Sequence, residues 1–295
     1  MSAQYNGARV YVGASQAKQV CGPDGTTVWA GGDDLRTSLP SGYSLTRGSS
    51  ALVWVGGVLT SVSSNVARFA DDPRTDANLG LMFEPAATNY VTANRDLSSW
   101  TNSNCTVAAI AGIDGTNGAS RLTATSANAK RSLAVTASAG YHCFSLWMRR
   151  VVGYRGVSIS LDDGATVHPI PAMLLDSNQW VRVHWYAHSI DPTIAIIIAN
   201  SGDAVDVDFV VVEDGTSPTS EIAGGATRAA ETLTLPLYSA LSYSTLAAAF
   251  SAVAINRRCV IDRILDHATN PIVTFAACDS PLGGFRPLPE WMVQL

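Results

Sequence analysis

The chain has 295 residues, 47% of them apolar and only 15% charged, with a formal net charge of −5. That length supports a sizeable core in one large or two modest domains, and the charged share is well below the roughly 25% of an ordinary soluble protein. Lys18 and Lys130 are the lysines, every other base is arginine, and no basic run exists that would track phosphates, so nucleic acid is excluded as a partner. So few charges leave two readings open: a surface partly hidden in oligomer contacts, or a Ser/Thr/Asn/Gly-rich β-protein whose surface is polar but uncharged.

The N-terminal MSAQYNGARVYVG lacks a basic segment followed by an apolar run, so no signal peptide is expected. Short β-type runs follow: ARVYVG (8–13), TTVWAGG (26–32), ALVWVGGVLT (51–60), SRLTAT (120–125), RSLAVTA (131–137), YHCFSLWMRR (141–150), GVSISLD (156–162), QWVRVHWYAH (179–188), TIAIIIAN (193–200) and VDVDFVVVED (205–214). Gly, Asp, Asn, Ser and Pro clusters separate them. Between the second and third lies GGDDLRTSLPSGYSLTRGSS (31–50), which reads as a linker. Several runs alternate with period two. In QWVRVHWYAH, Val181, Val183 and Trp185 share a face, with Arg182 and His184 opposite. In VDVDFVVVED, Val205, Val207, Phe209 and Val211 share one face, and Asp206 and Asp208 take the other as solvated carboxylates. No apolar 3.6 period is sustained over three turns. Many strands at short spacing, with turn chemistry between them, predict an all-β antiparallel sandwich or barrel. Near residue 237 the composition turns Ala/Ser-rich, so three parts are expected: 1–65, 66–237 and 238–295. The longest apolar stretches, 51–62 and 246–255, are too short to span a bilayer as helices, so no membrane insertion is expected.

Chemistry-bearing motifs are scarce. No Gly-x-Ser-x-Gly elbow, Walker loop or Gly-x-Gly-x-x-Gly occurs. The five cysteines, Cys21, Cys105, Cys143, Cys259 and Cys278, are scattered without a C-x-x-C pair and read as small buried hydrophobes in a reducing cytoplasm. His184 and His188 lie four apart on a strand, about 13 Å, too far for one ion. Asp71-Asp72 and Asp162-Asp163 sit in turn contexts that use carboxylates as caps. No active site assembles, and the chain is expected not to be an enzyme. Sugar binding is harder to set aside, because it needs only exposed aromatic platforms and hydrogen-bonding side chains. Among seven Trp and nine Tyr, those that the strand patterns do not bury are Trp29, Tyr43, Tyr154, Tyr186 and Trp291.

Five landmarks then follow in a telling order: RFADDPRTDANLGLMFEPAATNYV (68–91), DLSSWTNSNCTVAA (96–109), GIDGTNGASRLTAT (112–125), YHCFSLWMRR with NQWVRVHW (141–150, 178–185), and VDVDFVVVEDGTSPTSEIAGGATRAAETLTLP (205–236). As an ordered set this resembles the jelly-roll domains, related to carbohydrate-binding modules, of fibre, spike and minor virion proteins of tailed bacteriophages and phage-like particles. It spans more than half the chain. Two positions depart from the family pattern: Ala87 stands where Arg often precedes the Thr-Asn pair, and Glu231 ends Arg228-Ala229-Ala230-Glu231 where Asp is usual.

The resemblance implies a jelly-roll carbohydrate-binding-like domain over 66–237. The N-terminal β module (1–65) would serve attachment or oligomerisation, and 238–295 forms a C-terminal β extension. It further implies a virion component, on head or tail, assembled in the bacterial cytoplasm and displayed on the virion surface. Its partners would be capsid or tail proteins, sister copies in a trimer or pentamer, and host surface or capsular polysaccharide held without catalysis. The competing reading is a decoration or connector protein that binds no sugar; a glycan depolymerase is a third. No cofactor is expected beyond a structural calcium, which some sandwiches of this kind hold between first and last strands. Glu84 and Glu213 are its candidate ligands, against the alternative that each accepts backbone amides where strand meets loop.

Overall fold

The computed structural model describes residues 2–5, 8–11, 19–21, 27–30, 33–34, 37–39, 41–71, 78–153, 156–175, 179–234, 241–242, 259–265, 272–279 and 285–294. These residues form two compact units. One is built on Ala87–Arg228; the other gathers the described residues up to Ala86 and from Ala229 onward.

The Ala87–Arg228 unit carries ten principal strands: β1 (Thr101–Ser103), β2 (Cys105–Ala111), β3 (Asn117–Ala124), β4 (Ala129–Ala134), β5 (Gly140–Val152), β6 (Val157–Ser160), β7 (His168–Pro169), β8 (Val181–Ser189), β9 (Thr193–Ile198) and β10 (Ala204–Asp214). They make two five-stranded sheets, ordered β1-β4-β9-β6-β7 and β2-β3-β10-β5-β8. Every named pair is antiparallel, and the pairing is nested: β3 with β10, β4 with β9, β5 with β8 and β6 with β7. The partners Ser120/Val207, Ala129/Ile198 and Ser158/Pro169 are each centred between Asp163 and Gly164. The Gly140/Ser189 pair is centred one residue further on. A single long hairpin, folded over on itself and split between two sheets, is a jelly roll, with β1 and β2 added at the edges. The expected all-β sandwich is therefore the architecture of this unit.

Local chemistry makes the hairpin's tip. Asp163 and Gly164 both take positive φ (57° and 93°), and Asp162 Oδ1 accepts the Thr166 amide at 2.8 Å. Ser160 Oγ accepts the Gly164 amide at 2.8 Å. Such side-chain acceptors let the chain reverse without orphaned donors. The inner faces of both sheets supply one continuous apolar core, with Leu122, Phe144, Leu146, Met148, Ile159, Ile194 and Ile196 among its most buried members. Each such side chain contributes about 1.5–3 kcal/mol relative to exposure.

One strand departs from simple alternation. Phe209 has φ of 42°, and between the pairs Ser145/Val211 and Trp147/Asp208 the register slips. This β-bulge reverses the phase of β10. Val205 and Val207 face the core before it and Val210 and Val212 after it, so the expected Val205-Val207-Phe209-Val211 face does not hold beyond Val207. Asn89 fastens the bulge from outside the sheet. Its Nδ2 donates to Val210 O (3.0 Å) and Ile222 O (3.1 Å), and its Oδ1 accepts from the amides of Val91 (3.0 Å) and Val212 (3.2 Å). The strand pair Ala87–Thr88 with Thr227–Arg228 joins the two ends of the unit.

The second unit contains a β-hairpin, Ala51–Val55 with Val58–Val62. A larger antiparallel sheet runs Phe69–Asp71, Asn78–Phe83, Cys259–Leu265, Ile272–Asp279 and Phe285–Gln294. Within the stretch expected as a linker, Ser44–Thr46 is a strand paired to Thr232–Thr234, and Leu45 and Arg47 are buried. Four fully buried charges hold these segments. Arg47 Nη1 lies 2.9 Å and Arg68 Nε 2.8 Å from Glu231 Oε1, and Arg68 Nη2 lies 2.9 Å from Glu84 Oε2. The Glu84 amide donates to Glu231 Oε2 (2.8 Å), and the Glu231 amide returns a bond to Glu84 O (3.1 Å). Arg47 also donates to the carbonyls of Ser49, Ser63 and Val66. Burial pulls the Arg68 guanidinium down, but Glu231 and Glu84 outweigh it and hold it above its ordinary value. Arg47 has one carboxylate and a neighbouring cation, so burial wins and its value falls.

Candidate functional site

The outer face of the β2-β3-β10-β5-β8 sheet carries the chemistry. On β5, Phe144, Leu146 and Met148 enter the core, which turns Tyr141, Cys143, Ser145, Trp147 and Arg149 outward. On β8, Val181, Val183 and Trp185 pack on the core, as the alternation in QWVRVHWYAH predicts. Arg182, His184, Tyr186 and His188 then take the outer side.

The middle of this face is covered by the chain that follows β10. Glu221, 1% exposed, accepts from Trp147 Nε1 at 2.8 Å and lies 3.2 Å from Arg182 Nη1. Arg182 Nη2 also donates to Ser145 Oγ at 3.1 Å. Glu213 accepts from the amide and hydroxyl of Thr219 at 2.6 and 2.8 Å.

Toward the Gly140 end of β5 the face opens onto a run of rings. Tyr141 is 53% and Tyr186 41% exposed. Their centroids lie 6.1 Å apart with planes at 66°, and His188 meets Tyr141 at 5.3 Å and 88°. Around the sheet edge, Tyr186 is followed by Trp185 at 5.8 Å, and His168 lies flat on Trp185 at 3.9 Å and 13°. Burial lowers the His168 value, so at neutral pH it packs as an uncharged ring. Tyr90 Oη donates to Asp214 Oδ2 at 2.9 Å at the same end of the sheet. Rings meeting edge to face do not make one flat shelf, and aromatic faces beside hydroxyl and carboxylate groups suit the apolar face and polar rim of a pyranose.

Two of the five aromatics expected from sequence have described side chains. Tyr186 lies in the ring cluster. Tyr43 is half-buried and belongs to the other unit. Trp29 and Trp291 stand on the strands Thr27–Ala30 and Phe285–Gln294, with side chains outside the described residues, and Tyr154 lies outside them altogether. Tyr141 and His188 escaped sequence reasoning, because only register shows that they flank Tyr186; the shared parity of Tyr186 and His188 was the available signal. Glu84 and Glu213 belong to different units. The Glu84 carboxylate faces Arg68, whereas Glu213 takes the amide contact weighed for it. Among the described residues no group of three or more His, Cys, Asp or Glu is placed to hold a metal ion, and no helix is long and apolar enough to cross a membrane. Cys105 and Cys143 are buried and form no disulfide.

Asp206 and Asp208 correct the sequence reading. Both are fully buried, because arginines close over them: Arg121 and Arg149 from neighbouring strands over Asp206, and Arg95 from the segment before β1 over Asp208. Asp208 receives Arg95 Nε at 2.7 Å and Nη2 at 3.1 Å, plus the Ile113 amide. Arg95 also reaches Asp114 and Thr116 and lies over Phe209 at 4.2 Å. Gly118 leaves room beside it: a Cβ there would stand 2.9 Å from the guanidinium carbon, and Arg95 would have to shift.

No family model matches the chain. No curated protein matches it either. Similar solved structures include the C-terminal CBM6 of a marine laminarinase from Zobellia galactanivorans, with 12% identity over 44% of this chain and 98% of that one and a TM-score of 0.30. The CBM22-1 xylan-binding domain from Paenibacillus barcinonensis has 13% identity over 45% of this chain and 94% of that one, with a TM-score of 0.32. Tailspike protein 4 of bacteriophage CBA120 has 13% identity and a TM-score of 0.32, over 42% of this chain and 21% of the tailspike. The structural neighbours are thus mainly carbohydrate-binding modules, at low identity.

Proposed function

We propose that the chain is a surface component of a phage or phage-like virion, on head or tail, that attaches the particle to host surface polysaccharide without catalysis. The observation that carries the sugar-binding part is the angled, exposed ring cluster of Tyr141, Tyr186 and His188. Rings set at these angles suit a single glycan chain rather than a flat crystalline surface. The virion part rests on the ordered landmarks between Arg68 and Pro236. Many copies, each holding a sugar weakly, add through avidity, and a homo-oligomer, trimer or pentamer, supplies the copies. The chain outside the jelly roll attaches it to capsid or tail proteins.

A glycan array probed with the intact oligomer tests this. Binding to host-surface polysaccharide is expected, with loss of at least tenfold in Tyr186→Ala and in Tyr141→Ala. Because both side chains are exposed, the melting temperature should stay nearly unchanged. Absence of binding to every glycan would overturn attachment and favour a decoration or connector role.

A further inference from the structure

At the opposite end of β5 from the ring cluster, four side chains form one row across four strands. Arg121 on β3 is directly opposite Asp206 on β10, and Asp206 is directly opposite Arg149 on β5. Trp180, the residue preceding β8, completes the row with Arg149 lying over its ring at 4.7 Å. Asp206 is fully buried and holds both arginines. Arg121 Nε and Nη2 donate to its two oxygens at 2.7 and 3.1 Å, and Arg149 Nε donates to Oδ2 at 2.8 Å.

The next rung of the same face shows what a purely structural arrangement looks like. There Arg95 spends its donors on Asp208, Asp114 and Thr116, giving one cation for two carboxylates. In the Asp206 row the ratio is reversed, with two cations on one carboxylate. Arg121 Nη1 and both terminal nitrogens of Arg149 have no partner among the described residues. The side chains are 38% and 27% exposed. One carboxylate thus fixes two guanidiniums side by side and leaves their outer hydrogens pointing to solvent, on a chain whose net charge is negative. A planar guanidinium with free paired donors matches a carboxylate bidentately, and prior immobilisation by Asp206 and Trp180 lowers the ordering cost of binding. The row crosses four strands, about 14 Å, a span suited to an extended polymer.

We propose that the Arg121–Asp206–Arg149–Trp180 row is a second glycan site, specific for the carboxylates of an acidic, uronate-bearing polysaccharide. It stands independently of the ring cluster and holds whether or not that cluster binds sugar.

Affinity electrophoresis of the intact protein in gels containing polygalacturonate, alginate or hyaluronate tests it, each paired with the carboxyl-reduced form of the same polymer. Retardation by at least one polyuronate is expected, with at least tenfold less on its reduced form and steep weakening by salt. Arg149→Gln and Arg121→Gln, each leaving Asp206 one arginine, should weaken retardation tenfold or more. Equal retardation on reduced polymer, or none on any of the three, would overturn the proposal. The comparison of native with reduced polymer needs no variant, so it decides the matter even if an arginine variant fails to fold. Loss in Tyr186→Ala with no loss in the arginine variants would assign the acidic glycan to the ring cluster instead and overturn the second site.

Discussion

One charge cluster from each unit shows a different way of burying charge. The jelly roll keeps its core apolar and places Asp206 and Asp208 on the outer sheet face, each beneath arginines that still touch water. The flanking unit withdraws Arg47, Arg68, Glu84 and Glu231 completely, with no exposed side-chain surface on any of them. The first arrangement is built on a hydrophobic pattern; the second depends on four residues from distant parts of the chain all being present. A removed partner in the second leaves buried charge short of its compensation. In the first, water reaches the survivor.

The sharpest way to break that comparison is Glu231→Ala. It leaves buried Arg47 without its carboxylate and Arg68 with Glu84 alone, and a loss of about 3–5 kcal/mol is expected in urea unfolding of the flanking unit. A loss below about 1 kcal/mol would mean that the cluster holds nothing. Asn89→Ala comes next, within the jelly roll. It removes the Asn89 bonds to the Val91 and Val212 amides and to Val210 O, leaving Ile222 O only its bond from Asn94 Nδ2 (3.3 Å), for an expected cost of about 1–3 kcal/mol and increased amide exchange at Val210 and Val212. Unchanged exchange would show the bulge to be self-supporting.

Acidification is the gentlest probe. Four jelly-roll carboxyls lie below their ordinary values: Asp96 through the Ser98 amide, Asp163 through Lys130, and Asp114 and Asp162 because their hydrogen-bond donors outweigh burial. Each contributes stability above the ordinary carboxylate range that is lost as pH falls through its folded value. Asp208 runs the other way. Burial raises it despite Arg95, so its ionised form costs stability that protonation relieves. With four groups against one, the jelly roll's melting temperature should drop by a few degrees between about pH 5 and pH 3. A rise would mean that Asp208 governs the balance.

Period-two alternation made the strands and their inward faces legible, and in β8 it assigned every residue from Val181 to Trp185 correctly. It failed in β10 because alternation carries no sign of a bulge. The signal lay elsewhere, in Asn89, 123 residues from the Val212 amide it accepts. The same limit hid the ion pairs. A strand's sequence says that Asp206 faces away from the core but not that Arg121 and Arg149, from strands 85 and 57 residues away, will cover it. The ring cluster was half legible for this reason: Tyr186 stood out as an aromatic without a core position, whereas Tyr141 became its neighbour only through the register of β5 against β8. Glu231 seemed a minor departure from a family pattern, yet it is the carboxylate on which both buried arginines converge.

The nested pairing about Asp163–Gly164 also shapes how the protein is made. Strand β3 leaves the ribosome first, yet its partner β10 is the last of the series to appear, and β4 waits likewise for β9. Within the nested series only β6 and β7, which lie within six residues of the tip on either side, can pair as soon as they emerge, and they close the shortest and least costly loop. Until Val205–Val212 arrives, the apolar faces of β3 and β5 have no cover from it. Synthesis of this unit therefore passes through a long interval with unpaired strand edges exposed, the condition under which β-rich chains aggregate.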